Sequence, residues 1–142
     1  MKIREIMTTN ICCASENDTL TAVASYMKTN DTGFIPVNGQ NGELCGIITD
    51  RDIVIRAVAD SEKAPTLHAS DIMSRDIVTL SPDHSPIEAS RLMSRAKVRR
   101  LPVTEKNKVV GVISLGDLSR AGNLFSETAS ALCDICENEQ SF

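Results

Sequence analysis

Gly46-Ile47-Ile48-Thr49-Asp50-Arg51-Asp52-Ile53 returns, with small changes, as Gly111-Val112-Ile113-Ser114-Leu115-Gly116-Asp117-Leu118. Each stretch is an apolar run closed by a hydroxyl residue with a carboxylate three positions on, the pattern of a strand turning directly into a helix. Working outward, Ile35-Pro36-Val37 matches Leu101-Pro102-Val103, Met27 matches Met93, and the opening Ile6-Met7-Thr8 matches Ile72-Met73-Ser74. The offset is 66 residues from Met7 to Met73 and 65 from Asp52 to Asp117, because one residue is lost where Asn38 to Cys45 faces Thr104 to Val110. That segment reads as a turn, where a deletion is cheap. The period exceeds the roughly 20–50 residues of open solenoids, so two packed halves are expected, each too short to be more than marginal alone.

Each copy reads as β-α-β-β-α. After a short polar helix-like start from Lys2 to Met7 comes an extended piece around Ile11 to Ala14, then a helix with Asp18 placed to cap it. Leu20, Val23, Ala24 and Met27 recur at the spacing of one buried face, and Asp31 to Gly33 ends it. Phe34 to Val37 and Leu44 to Thr49 form a hairpin around Asn38-Gly39-Gln40-Asn41-Gly42, and Asp50 starts a helix whose apolar positions are Ile53, Val54, Ala57 and Val58. A polar linker with Pro65 leads to the second copy. There Ser85-Pro86-Ile87-Glu88 is a capping box with proline at the first helical position, Val98 to Val103 and Val109 to Ser114 form the second hairpin, and Asp117 to Ala121 lies in the closing helix. The expected organisation is an α/β (α+β) fold with repeat 1 and its linker over residues 1–66, repeat 2 over 67–122 and a tail over 123–142. In the tail, Phe125, Ala129, Leu132 and Ile135 or Cys136 form a helical stripe suited to packing on a partner or on the chain itself.

Composition narrows the function. Hydrophobic residues make up 42% and charged residues 24% of the 142, the balance of an ordinary globular protein with a core of Ile, Val, Leu, Met and Ala. Aromatic content of 3% with no Trp argues against base-stacking platforms, and a net charge of −4 gives no general attraction to nucleic acid or anionic membrane. No segment reaches the ~18 apolar residues of a membrane span, and no signal-like run follows Met1, so a cytoplasmic protein is expected. Five cysteines, an odd number, read as free thiols.

The doubled, collinear set of Ile-Met-Thr/Ser, apolar-Pro-Val and Gly-apolar-apolar-Thr/Ser-x-x-Asp resembles tandem CBS domains, named after cystathionine beta-synthase, over about residues 3 to 122. The resemblance implies a Bateman module. Its two units pack through their sheets about a pseudo-twofold axis and leave two clefts, and such modules commonly dimerise. Their ligands are adenosine derivatives: AMP, ADP, ATP, S-adenosylmethionine, and in some members cyclic dinucleotides or dinucleotide cofactors. A homodimer that binds an adenine nucleotide as regulatory ligand and acts on a protein partner in trans is therefore expected, with no required cofactor.

The residues themselves carry part of this chemistry. Thr49 and Asp52, and again Ser114 and Asp117, place a hydroxyl and a carboxylate on one side of a first helical turn. The carboxylate accepts from two adjacent ribose hydroxyls, and the hydroxyl and helix N–H groups suit ribose or phosphate oxygen. The same spacing is also nearly a capping box, and the two roles can coexist. If Leu101 and Val103 face the core, Arg99 shares their parity and Arg100 and Pro102 point the other way. The resemblance implies phosphate contacts for Arg99 and Arg100, with Lys97 behind them. At the matching places copy one has Gly33 and Phe34 beside Pro36, which offer shape and stacking, and its charge is expected from Arg51 where copy two has Gly116. Cys13 and Thr79 are expected to line the clefts. The Asp117 cleft, with Gly116 leaving the backbone open, is expected to favour a phosphate-bearing nucleoside.

Other functions have weaker support. His68 and His84 have no nucleophile and acid arranged around them, so no enzyme is expected. Cys133-x-x-Cys136 supplies two thiolates where a structural zinc site wants four ligands, which leaves metal or redox sensing as an alternative. A ligand-independent dimerisation scaffold is another. A nucleic-acid role, resting only on the Arg91 to Arg100 cluster, is not expected.

Overall fold

The structure, a computed structural model, describes residues 1–137; the end of the expected tail, residues 138–142, lies outside the described residues. A 3-10 turn (Ile3–Glu5) precedes strand β1 (Ala14–Ser15), helix α1 (Leu20–Asn30) and strands β2 (Phe34–Asn38) and β3 (Leu44–Thr49). Helix α2 (Asp50–Asp52) continues as π-helical turns over Ile53–Val58. A 3-10 turn (Ala64–Thr66) and α3 (Ala69–Ile72) lead to α4 (Pro86–Ala96), β4 (Arg100–Glu105), β5 (Lys108–Ser114), α5 (Leu115–Arg120) and α6 (Phe125–Cys136).

Packing follows a different line from the repeat. One compact unit is Cys12–Ile77, and the other joins Met1–Ile11 to the chain from Val78 onward. In the first, β2 and β3 pair antiparallel with Phe34 opposite Thr49 and Val37 opposite Gly46, and β1 adds parallel to β2 with Ala14 opposite Val37. The outer edge of β3 is covered by the segment after α3, where Ile47 and Ser74 exchange both backbone hydrogen bonds at 3.0 and 2.9 Å. Ala69 N donates to Asp18 O at 2.8 Å and Ser70 N to Glu16 O at 3.0 Å. Leu20, Val23, Met27, Ile35, Val37, Ile48, Ala57, Ile72 and Met73 form its core.

The other unit repeats this in register. β4 and β5 pair with Arg100 opposite Ser114 and Val103 opposite Gly111, and the ladder shifts between Val103 and Thr104 as it does between Val37 and Asn38. Thr8 and Val112 exchange bonds at 2.9 and 3.0 Å, while Ile3 N donates to His84 O and Arg4 N to Pro82 O. Each unit therefore takes its hairpin and main helices from one repeat and the Ile-Met-Thr/Ser segment from the other. That segment satisfies an edge strand that would otherwise be open. The core here is Ile3, Leu80, Ala89, Met93, Leu101, Val103, Ile113 and Leu118, joined by Ala131 and Ile135 of α6.

Three local expectations are corrected. The cap of α1 is Thr19, whose Oγ1 accepts from Ala22 N at 3.2 Å; Asp18 instead accepts from Ser15 N at 2.9 Å, and Ala24 is exposed. Of the stripe after Asp52 only Ala57 is buried, with Val54 56% and Val58 62% exposed. The Ala59 N to Val54 O bond is an i to i−5 bond, and the wider π turn moves residues off a face laid out for 3.6 per turn. In α6, Phe125 (73%) and Leu132 (45%) face outward, whereas Ala131 and Ile135 are buried. Ser94 donates to the Asp134 carboxylate and Lys97 Nζ to the Asp134 carbonyl, so polar anchors next to a small alanine select that face.

Candidate functional site

Both strand-to-helix junctions are built alike. In the first, Thr49 Oγ1 accepts from Asp52 N at 3.2 Å while Asp52 Oδ2 accepts from Thr49 N at 2.9 Å. In the second, Ser114 Oγ accepts from Asp117 N at 3.1 Å, and Asp117 Oδ2 accepts from Ser114 N at 2.9 Å and from the Ser114 hydroxyl at 2.8 Å. The capping box that the spacing allowed is thus formed twice, and it uses one oxygen of each carboxylate. Each aspartate side chain is 17% exposed, and each turns Oδ1 toward an arginine of the following turn: Arg56 Nε at 3.6 Å from Asp52, Arg120 Nη2 at 2.7 Å from Asp117.

The hairpins fix what stands beside these carboxylates. Asp50 N donates to Gly33 O at 3.0 Å and Leu115 N to Arg99 O at 2.8 Å, so Gly33 and Arg99 hold equivalent places. Their neighbours Phe34 and Arg100 pair with Thr49 and Ser114. Arg99 does not lie on a core-facing strand position. Lys97 closes α4 in the left-handed conformation at φ 57°, β4 begins only at Arg100, and both arginines are exposed. Pro36 and Pro102 are buried in their strands. Cys13 and Thr79 each precede a residue bridged to the hairpin, Ala14 to Val37 and Leu80 to Val103. Burial pushes the Cys13 thiol up from its ordinary value and a hydrogen bond with Asn38 lowers it in part.

The two junctions differ in charge. The Asp50 carboxylate folds over Gly33 so closely that a Cβ there would stand 2.6 Å from Asp50 Oδ2, and Arg51 is exposed beside it. In the other junction buried Leu115 replaces Asp50, and a Cβ at Gly116 would stand 3.4 Å from Arg120 Nη1. The backbone at Gly116 is therefore overlaid by a guanidinium and not simply open. Asp50, Arg56 and Arg120 were missed in the sequence, although Asp52 to Arg56 at i+4 and Asp117 to Arg120 at i+3 are the spacings at which helical side chains meet.

A family model for the CBS domain matches residues 3–58 and again residues 69–123. This chain belongs to the CBS-domain family. The CBS domain-containing protein YhcV of Bacillus subtilis strain 168 is 40% identical to it over 134 residues, covering 94% of each chain. The crystal structure of Hypoxic Response Protein I with two coordinated zinc ions superposes with a TM-score of 0.79 at 34% identity, over 85% of this chain and 98% of that one. The CBS domain pair of protein MJ0100, in complex with 5'-methylthioadenosine and S-adenosyl-L-methionine, superposes at 0.75 with 26% identity, over 84% and 94%.

Both capped junctions lie inside the matched residues, Thr49 with Asp52 in the first stretch and Ser114 with Asp117 in the second. The tail pair Cys133 and Cys136 lies on α6, exposed and half-buried, and among the described residues no three His, Cys, Asp or Glu side chains group to hold a metal ion. No helix among the described residues is long and apolar enough to cross a membrane.

Proposed function

We propose that this CBS pair is a non-catalytic regulatory module that binds an adenosine-derived ligand of the AMP, ADP, ATP or S-adenosylmethionine class. The ribose hydroxyls donate to Oδ1 of Asp117, and in the weaker site to Oδ1 of Asp52. The observation that carries this reading is the carboxylate built twice in the same way: held rigid through Oδ2 by its cap, largely buried, and with its second oxygen left out of the cap and turned toward an arginine of the following turn. A carboxylate fixed in this way is a pre-organised acceptor for a vicinal diol. The adenosine compounds bound by the MJ0100 pair support the ligand class.

Arg99 and Arg100 beside Ser114 supply positive charge for phosphate, and Gly33 and Phe34 beside Thr49 supply shape and stacking. The Asp117 site is thus the better one for a phosphorylated ligand. Output passes through the geometry of a homodimer to a protein partner in trans, with a coupling of about 1–3 kcal/mol sufficient for switching. The test is a thermal-shift titration of wild type and Asp117→Ala with AMP, ADP, ATP, S-adenosylmethionine, NAD and cyclic di-AMP. Stabilisation that grows with the concentration of one adenosine ligand and is lost in the variant is expected. No shift with any of them at millimolar concentration overturns the reading in favour of a ligand-independent scaffold.

A further inference from the structure

The arginines that face the two carboxylates are held very differently. Arg56 also donates from Nη1 to Ile72 O and to Ser74 Oγ, both at 3.1 Å, so its guanidinium is part of the packing that seats the segment after α3. Among the described residues Arg120 bonds through its guanidinium to Asp117 alone, at 2.7 Å, and its side chain is 73% exposed. Copy one has Ile55 at the position matching Arg120, so the releasable arginine belongs to the Asp117 site alone.

We propose that Arg120 is the specificity-determining residue of the Asp117 site. It is a counter-ion that the ligand's diol displaces from Asp117 Oδ1 and that then pairs with the ligand's phosphate. This rests on the reading of Asp117 as the diol acceptor. A neutral nucleoside must break the Arg120–Asp117 bond and returns nothing to the guanidinium. A nucleotide breaks the same bond and replaces it with an arginine–phosphate pair, which has the planar geometry that guanidinium favours. Arg120 therefore penalises adenosine and rewards AMP at one position, and the site discriminates by the phosphate even though the diol contact is common to both. At the Asp52 site Arg56 stays bound to Ile72 and Ser74, so no such exchange takes place there.

The experiment is calorimetric titration of the full chain, wild type, Arg120→Ala and Arg120→Lys, with adenosine, AMP and ATP. Removing the guanidinium frees Asp117, so Arg120→Ala is expected to bind adenosine more tightly. It is expected to bind AMP about tenfold more weakly, the loss of one charge-assisted contact. The AMP-to-adenosine preference then falls by more than tenfold and is partly restored by Arg120→Lys. An unchanged preference in Arg120→Ala, with binding retained, overturns the role of Arg120 while leaving Asp117 as the diol acceptor. Failure of all three ligands to bind wild type overturns both. The 73% exposure of Arg120 keeps the fold out of the comparison, and a circular dichroism melt checks it.

Discussion

Met73 lies across Gly46 so closely that a Cβ on the glycine would stand 2.3 Å from its Sδ, 2.7 Å from its Cγ and 3.0 Å from its Cβ. Met73 belongs to the second repeat in sequence and Gly46 to the first, and Met7 stands over Gly111 in the same way, with Sδ 2.6 Å away. The glycine that opens the motif thus makes room for the exchanged segment. Because the contact involves the methionine from Cβ outward, tip rotation does not relieve it. Gly46→Ala should cost about 1–3 kcal/mol in urea denaturation. In the double variant with Met73→Ala the two costs should add to less than their sum, since one removes what the other collides with.

The face on which α6 packs gives a second prediction. Ile135→Ala should cost about 2–4 kcal/mol, as for a buried aliphatic side chain, whereas Leu132→Ala and Phe125→Ala should stay within about 0.5 kcal/mol. Thermal melts of the three variants check it, and a large loss at Leu132 would return the helix to the stripe suggested by the sequence.

The capping role of the aspartates is separable from any ligand. Asp117→Ala in ligand-free protein should lose about 1 kcal/mol, the ordinary value of a cap. Asp117→Asn keeps an acceptor for Ser114 N and should lose less. Chemical denaturation without nucleotide measures both.

Much of this was legible and some was not, for reasons that lie in particular residues. The hairpins and the box at Ser85 to Glu88 are local signals, and Ser85 Oγ and Glu88 carry out the reciprocal bonds that their types suggest. The doubled Thr49-x-x-Asp52 and Ser114-x-x-Asp117 pointed to the junctions. What local sequence cannot carry is partner choice: Ile6-Met7-Thr8 contains nothing that says which hairpin edge it will cover. Asp18 and Thr19 are both capable caps, and only the backbone geometry separates them. The parity reading of Arg99 failed because it assumed a strand that starts two residues early, at Val98, directly after the left-handed turn at Lys97. The arginines facing the carboxylates were readable from helical spacing, but the different anchoring of Arg56 and Arg120 depends on Ile72 and Ser74, far along the chain.

Electrostatics tie the N-terminal segment to its unit. Arg4 Nη2 lies 2.8 Å and Lys2 Nζ 3.3 Å from Asp83 Oδ1, and these hydrogen bonds, Arg4 first, hold the Asp83 carboxyl below its ordinary value of 3.8. A carboxyl lowered in the folded state stabilises above its unfolded value, and the contribution is lost as pH falls through the folded value. Asp83→Asn should therefore be less stable than wild type at pH 7, and the difference should vanish as pH drops below 3.8. Urea midpoints at pH 7 and in that acid range check it. The effect should be small and salt-sensitive because the groups are exposed.

The most direct test of nucleotide binding at the second junction is the amide spectrum of 15N-labelled protein as AMP is added. The largest shifts should fall on Arg100, Ser114, Gly116, Asp117 and Arg120 and saturate together, with smaller ones at Thr49 and Asp52. Shifts confined to α6 and α4, or none at millimolar AMP, would contradict a nucleotide site built on Asp117.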